Sequence, residues 1–223
     1  MKASYLCLAI VITTTSYIFS MEESTSSLDD VNPLLYVLKA MEFSEFPPEL
    51  KEMIIGETFA LPENSQALLK AMNDNNDNKI EQLLKKRYID VNIQDDNGRT
   101  PLIWAVEGHK PEIVKILLEK NANLNIPDND GNTPLIHAAM NTTFRNSEIV
   151  QILLDAGANP NIQNNNGSTA LMYTSRIDVL KMLLDHGADL NIQNNGGYTA
   201  LDLSRFWDQP EITNLLSTKQ EGK

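Results

Sequence analysis

Gly98-Arg99-Thr100-Pro101-Leu102 is a five-residue segment that recurs three more times in this chain of 223 residues. Its copies are Gly131-Asn132-Thr133-Pro134-Leu135, Gly167-Ser168-Thr169-Ala170-Leu171 and Gly197-Tyr198-Thr199-Ala200-Leu201. The four glycines lie 33, 36 and 30 residues apart. A period near 33 predicts a stack of similar units, each of which buries its apolar side against its neighbours.

Each copy predicts the start of a short helix. A polar turn rich in Asp and Asn precedes the glycine, which adopts the positive φ that such turns need. The threonine can cap the first helical turn, and Pro101 and Pro134 suit the first helical position. Ala170 and Ala200 replace proline in the later copies without loss, because alanine is a strong helix former.

A second helix is predicted in each unit from apolar residues at helical spacing. These residues are Ile113, Ile116 and Leu117, then Ile149, Ile152 and Leu153, then Leu180, Leu183 and Leu184. Gly157 and Gly187, with Asn121 as a substitute, stand where a left-handed residue would end this helix. The connection between the helices is shortest in the third unit, where residues 174–176 must form the loop.

Together these features resemble the ankyrin repeat, with clear repeats at residues 95–127, 128–163 and 164–193. Residues 64–94 are expected to be a degenerate N-terminal cap repeat, residues 194–216 a C-terminal cap, and residues 217–223 a tail. The predicted fold class is all-α: an ankyrin-repeat solenoid of helix-turn-helix repeats with β-turn fingers, plus a short helical N-terminal extension.

Residues 1–20 have a different composition from the rest of the chain. Lys2 precedes an apolar run from Ala3 to Phe19, which predicts a secretory signal peptide and a secreted or periplasmic protein. The alternatives are an uncleaved signal that anchors the chain in a membrane, and chance hydrophobicity. Cys7 is the only cysteine, so cleavage would leave no thiol for a disulfide or a metal.

Residues 21–63 are expected to be a linker and a short helical extension. Residues 21–31 are polar and acidic, with no pattern that forms a core. Residues 46–55, which begin Phe46-Pro47-Pro48-Glu49-Leu50, resemble the opening of an F-box. This resemblance implies a substrate-recruiting effector that docks a ubiquitin-ligase adaptor. A helix that starts at the prolines and packs on the cap repeat accounts for the same residues.

The formal net charge of −12 limits the partners of the chain. An acidic surface repels phosphate backbones and anionic lipids, so we expect no nucleic-acid binding and, after signal cleavage, no membrane binding. A protein partner with a basic surface fits the charge, although solubility alone explains it equally well. We expect the chain to be a monomer.

The sequence contains no pattern of catalytic or metal-binding residues. His109, His137 and His186 do not form the metal-binding spacing of a metalloprotease, and there is no phosphate-binding loop or nucleophile elbow. The acidic pairs of the turns are interpreted as turn formers rather than as a carboxylate dyad; they are Asp95, Asp96, Asp128 and Asp130. We therefore predict no enzyme, no cofactor and no metal.

The candidate binding residues are those that the resemblance to ankyrin repeats puts on the concave face. One set of these residues, called the column, lies two positions after the leucine near the start of each first helix. The column consists of Trp104, His137, Tyr173 and Leu203. A second set follows each finger glycine, and consists of Arg99, Asn132, Ser168 and Tyr198. Phe206 and Trp207 lie at the last joint between helices, and aromatic residues dominate interface hot spots.

These residues predict a non-enzymatic protein–protein interaction scaffold that binds its partner in the concave groove. The competing interpretation of the column is that Trp104 and Tyr173 pack between neighbouring first helices and are half-buried. Tyr198, Phe206 and Trp207 are instead expected to be exposed. The sequence does not specify the partner.

Overall fold

The computed structural model of the chain describes residues 62–86, 89–141 and 143–221. The chain divides into two units, Met1–Thr58 and Phe59–Lys223, and every described residue belongs to the second. The predicted signal peptide, most of the predicted helical extension and the segment that resembles an F-box therefore lie outside the described residues.

The described residues form ten helices and no strand. In chain order the helices are α1 (Pro62–Asn73), α2 (Asp77–Leu84), α3 (Pro101–Glu107), α4 (Pro111–Glu119), α5 (Pro134–Met140), α6 (Phe144–Asp155), α7 (Ala170–Tyr173), α8 (Ile177–Asp185), α9 (Ala200–Phe206) and α10 (Pro210–Glu221). Within this part of the chain, no helix is long and apolar enough to cross a membrane.

The helices pack as five pairs that stack into two layers. The first helices of successive pairs contact one another from α1 through α3, α5 and α7 to α9. The second helices do the same from α2 through α4, α6 and α8 to α10. This arrangement is the repeated helix-turn-helix stack that the sequence predicts, because each pair buries its apolar side only against the next.

A continuous core runs between the two layers. Its leucines come from both layers at the predicted positions, and include Leu102, Leu117, Leu135, Leu153, Leu171 and Leu183. Each fully buried leucine contributes roughly 1.5–3 kcal/mol to stability. Ile80, Leu83 and Leu84 of α2 are buried in the same core, so the N-terminal pair is docked on the stack.

Threonine caps start most of the first helices. The hydroxyl oxygen of Thr100 accepts from the Ile103 amide at 3.2 Å, and Thr133 and Thr199 cap α5 and α9 in the same way. The predicted cap at Thr169 is wrong, because its side chain makes no capping bond. In this repeat α7 has only four residues, and the Met172 amide donates to the Thr169 carbonyl instead.

The fingers are tight turns that join one another in a ladder of hydrogen bonds. Asn129 donates from its backbone amide to the Asn97 carbonyl and from Nδ2 to the Asp96 carbonyl, both at 2.9 Å. Asn165 and Asn195 make the same two bonds to the fingers before them. The asparagines of the fingers are therefore structural links between repeats.

The last helix extends beyond the predicted end of the C-terminal cap. Helix α10 continues to Glu221, so the predicted boundary at residue 216 falls inside it. Ile212 and Leu216 are its buried residues. Beyond Leu216 the helix is held by its own backbone bonds rather than by burial, which is why apolar periodicity did not reveal its end.

Candidate protein-binding surface

The column on the first helices is fixed by hydrogen bonds to the fingers. In three repeats the first residue of the finger bonds the column residue nine positions later. The pairs are Asp95 with Trp104 (3.1 Å), Asp128 with His137 (2.8 Å) and Asn164 with Tyr173 (2.9 Å). All four column residues are half-buried, as the packing interpretation expects for Trp104 and Tyr173. The fourth, Leu203, has no polar atom with which to bond its finger.

The same finger residues close the turns. Asp95 Oδ1 accepts from the amides of Asn97 (2.9 Å) and Arg99 (2.8 Å). Asp128 Oδ1 makes the equivalent two bonds in the next repeat. The interpretation as turn formers is therefore confirmed for Asp95 and Asp128, whose carboxylates accept from backbone amides of their own fingers.

Two residues of the finger set are not on the surface. Asn132 is 8% exposed and Ser168 is 6% exposed. These two candidate binding residues are therefore too buried to form part of an exposed binding surface. The side chain of Asn132 contacts the following finger, since its Oδ1 accepts from Asn164 Nδ2 at 2.8 Å. Tyr198 has no further finger after it among the described residues, and it is 54% exposed.

Arg99 is part of a charged cluster on the first repeat. Its Nη1 lies 3.1 Å from Glu107 Oε2, and its guanidinium carbon lies 4.4 Å from the centre of the Trp104 ring. The cation and the ring attract each other in this geometry. Arg99 is thus held above Trp104, and its charge is partly neutralised by Glu107.

His137 connects the first two repeats on the same face. Its Nε2 lies 2.8 Å from Asp128 Oδ2, and its Nδ1 lies 3.3 Å from Glu107 Oε1. A protonated imidazole can donate to both carboxylates, whereas a neutral ring can donate to only one. His137 therefore links the finger of its own repeat to the helix of the preceding one.

The last repeat presents the most exposed aromatic residues. Phe206, the final residue of α9, is 82% exposed, and Trp207 at the cap of this helix is 47% exposed. Both residues are exposed as the sequence predicts, as is Tyr198. Contact of these three residues with a partner stays a prediction.

The family of the chain follows from comparison with known sequences. Residues 67–164 and 142–222 match the family described as ankyrin repeats (3 copies). These two matches span well over half of the chain. The chain is an ankyrin-repeat protein. Among curated proteins, none matches the chain at a significant level. Ankyrin repeats are generally protein–protein interaction modules and typically non-enzymatic, so a protein partner is implied for this chain.

Two residues on the face of the first helices, Glu107 and Met140, were not among the candidates predicted from the sequence. Each occupies the place of Phe206 in its own repeat, at the end of the first helix. Met140 is 38% exposed, and with Glu107, His137 and Asn141 it lines an open depression. The available signal was helical spacing, since a residue three positions after the column shares its face.

The other two histidines of the ankyrin repeats, His109 and His186, form hydrogen bonds with residues of helices α6 and α8. His109 Nδ1 lies 2.6 Å from Asn146 Oδ1, and His186 Nδ1 lies 2.8 Å from the Met182 carbonyl oxygen. Among the residues with described side chains, no group of three or more His, Cys, Asp or Glu residues could hold a metal ion.

The resolved pKa shifts lie mostly in the second-helix layer. The guanidinium of Arg176 lowers the pKa of Asp178 to about 2, and the Ser147 hydroxyl adds a bond from α6 at 2.9 Å. The Thr199 hydroxyl lowers the pKa of Asp202 in the capping box of α9. These carboxylates stabilise helix starts and contacts between repeats.

Proposed function

We propose that this ankyrin-repeat protein is a non-enzymatic scaffold that binds a protein partner through its groove. The groove is the face formed by the fingers and the first helices, which is the concave side expected for ankyrin repeats. One observation carries the proposal. All four exposed large hydrophobic residues of the described chain lie on a finger, on a first helix or at a joint between helices; they are Met140, Tyr198, Phe206 and Trp207.

The position of these side chains suggests where a partner contributes most binding energy. Large aromatic side chains supply most hot spots, because they bury much area with little loss of side-chain entropy. In the first two repeats the side chains of Trp104 and His137 already bond the fingers of their own repeats. We therefore place the centre of the interface at the last repeat.

The proposal is tested with a partner captured on the purified full chain and then purified itself. Trp207→Ala should weaken binding by about 1–3 kcal/mol in a calorimetric titration, because it removes a hot-spot side chain. Lys181→Ala is the control, since Lys181 is exposed on α8 in the other layer. A loss of affinity in the Lys181 variant, with none in the Trp207 variant, would move the interface to the second helices.

We also propose that the partner has a basic surface. The chain has a net charge of −12, and the first two fingers carry the exposed residues Asp96 and Asp130. Attraction between opposite charges is screened by salt, so affinity should fall as ionic strength rises. If the affinity does not change with salt, the acidic charge contributes to solubility and not to partner binding.

Export is a further part of the proposal. Residues 1–20 have the composition of a secretory signal peptide, which would deliver the ankyrin repeats outside the cytoplasm. Residues 1–24 should direct a leaderless reporter out of the cytoplasm, and the native protein should begin near Met21. An intact Met1 on the soluble native protein would rule out a cleaved signal.

A further inference from the structure

The charge of the groove is confined to its first two repeats. The four fingers begin at Asp95, Asp128, Asn164 and Asn194. The first two fingers contain two aspartates each, and the last two contain none. From the start of the finger to the end of its first helix, each of the first two repeats has a net charge of −2, with histidine neutral. The same stretch of each of the last two repeats has a net charge of zero.

The second-helix layer does not share this division. Each of its helices in the same four repeats carries both signs; the residues include Lys115 and Glu119 in α4, Arg145 and Glu148 in α6, Lys181 and Asp185 in α8, and Glu211 and Lys219 in α10. A surface that serves solubility alone mixes the two signs in this way. The separation of charge is therefore a property of the groove face rather than of the whole chain.

Two of the four finger aspartates present a carboxylate to a partner. Asp95 and Asp128 close their own turns, whereas Asp96 and Asp130 are exposed at the tips of adjacent fingers. The carboxylates of Asp96 and Asp130 make no hydrogen bond or ion pair with any described residue, and only their backbone atoms take part in the ladder. No cation of the described chain therefore offsets the attraction of these two carboxylates for a basic side chain.

The neutral end of the groove carries an apolar patch. Tyr198 and Phe206 stand at the positions of Arg99 and Glu107, whose side chains meet at 3.1 Å in the first repeat. Because the finger and the seven-residue first helix are alike in the two repeats, the two aromatic positions are also neighbours. Tyr198 is 54% and Phe206 is 82% exposed. The last repeat therefore has an apolar pair where the first repeat has a charged one.

We propose that the partner protein makes two separate contacts in the groove, with basic side chains on Asp96 and Asp130 and an apolar side chain on Tyr198 and Phe206. This inference rests on the proposed function and assigns each part of the partner to one end of the groove. Complementary charge at one end only also fixes the direction in which the partner lies. The two ends are two to three repeats apart, and packed helices lie about 8–10 Å apart, so the basic and apolar residues of the partner are separated by roughly 16–30 Å.

The acidic contact is tested with Asp96→Asn and Asp130→Asn combined in the full chain. Asparagine already stands at both positions in the neighbouring finger, as Asn129 and Asn97, so the fingers should stay folded while two charges are lost. Affinity for the purified partner should fall about three- to tenfold at low salt, because two exposed ion pairs are removed. The decrease of affinity with rising salt should also become smaller.

The matched control is Glu81→Gln combined with Glu119→Gln. These substitutions remove the same charge from exposed positions on α2 and α4, in the other layer. Affinity should stay within about twofold of wild type, with the wild-type salt dependence. An equal loss of affinity and of salt dependence in this control would mean that the charge of the whole molecule acts on the partner, and would overturn the inference.

The separation of the two contacts is tested with Phe206→Ala. This variant should bind about fivefold or more weakly at every salt concentration and keep the wild-type salt dependence, because no charge is lost. Combined with the two aspartate substitutions, its loss should multiply with theirs, since residues more than about 7–10 Å apart act independently. A combined loss no larger than the larger single loss would put both contacts at one place and overturn the inference.

Failure of this inference is distinguishable from failure of the proposed function. Normal affinity in the aspartate variant or in Phe206→Ala, with Trp207→Ala still weak, would overturn the inference alone. Normal affinity in all of the groove variants, with Lys181→Ala weak, would overturn the proposed function as well.

Discussion

At the residue scale, two constraints act on the finger glycines, namely the positive φ of the turn and the space left by the next finger. Gly131 has a φ of 80°, and a Cβ there would lie 2.6 Å from the backbone nitrogen of Asn165. Gly197 has a φ of 78°, but a Cβ there would meet nothing within 4 Å, because no further finger follows it among the described residues. The first glycine is needed for the turn and for the stack, whereas the second is needed for the turn alone.

Gly131→Ala should therefore destabilise the protein more than Gly197→Ala. The strain of a positive φ costs both variants about 1–2 kcal/mol. Gly131→Ala must also push away the next finger, which adds roughly 1–3 kcal/mol. Urea unfolding measures the difference, and equal losses in the two variants would mean that the fingers are not in close contact.

Trp104→Ala should cost about 2–4 kcal/mol of unfolding free energy, because it removes a half-buried ring and the bond to Asp95. Trp207→Ala is the comparison, with an expected cost below about 1 kcal/mol for an exposed residue. Chemical denaturation of both variants checks this. Equal destabilisation would identify Trp207 as a packing residue and remove it from the binding surface.

At the element scale, the third repeat shows how a shortened unit keeps its place in the stack. Helix α7 ends at Tyr173, and the buried Thr174 accepts through its hydroxyl from the Arg176 amide at 3.2 Å. Arg176 then bonds both oxygens of Asp178 in the first turn of α8. Ser147 of α6 donates to the same carboxylate, so one acid connects the short loop, its helix and the neighbouring repeat.

The low pKa of Asp178 makes this contact dependent on pH. Because its folded-state pKa is lowered to about 2 from 3.8, the carboxylate stabilises the fold above pH 4, and this is lost as pH falls through 2. Asp178→Asn should cost about 0.5–1 kcal/mol at pH 7, a small value because the side chain is partly exposed. Urea unfolding between pH 7 and pH 2 should show the difference shrink, and a constant difference would mean that charge is not its cause.

At the scale of the whole molecule, stability depends on contacts between neighbouring pairs. Helices α9 and α10 cover the third repeat, and α10 contributes the buried residues Ile212 and Leu216. In such a stack each repeat is buried only by its neighbours, so the terminal pairs contribute to stability as the central ones do.

Removal of residues 194–223 should lower the unfolding free energy by roughly 3 kcal/mol or more, because it exposes leucines of α7 and α8. Removal of residues 217–223 alone should have a much smaller effect, since residues 218–220 are exposed. Thermal unfolding monitored by circular dichroism compares the two truncations. An unchanged midpoint in the longer truncation would mean that the last pair is not docked.

The repeat, its helices and its positions of positive φ could all be predicted from the amino-acid sequence. The glycine spacing revealed the unit, and Gly157, Gly187 and Asn121 all have the predicted positive φ. These features are local, because turn geometry, helix starts and apolar periodicity depend on residues a few positions apart.

The accessibility of the predicted surface residues, in contrast, depends on how neighbouring repeats pack. Asn132 and Ser168 occupy the same finger position as the exposed Tyr198 but are buried. Asn132 Oδ1 likewise accepts from Asn164 Nδ2 of the following finger, 32 residues later in the chain. The physical reason is that exposure and hydrogen bonding in a stack depend on the side chains that the neighbouring repeat presents, about one period away in the chain, and no local pattern encodes that match.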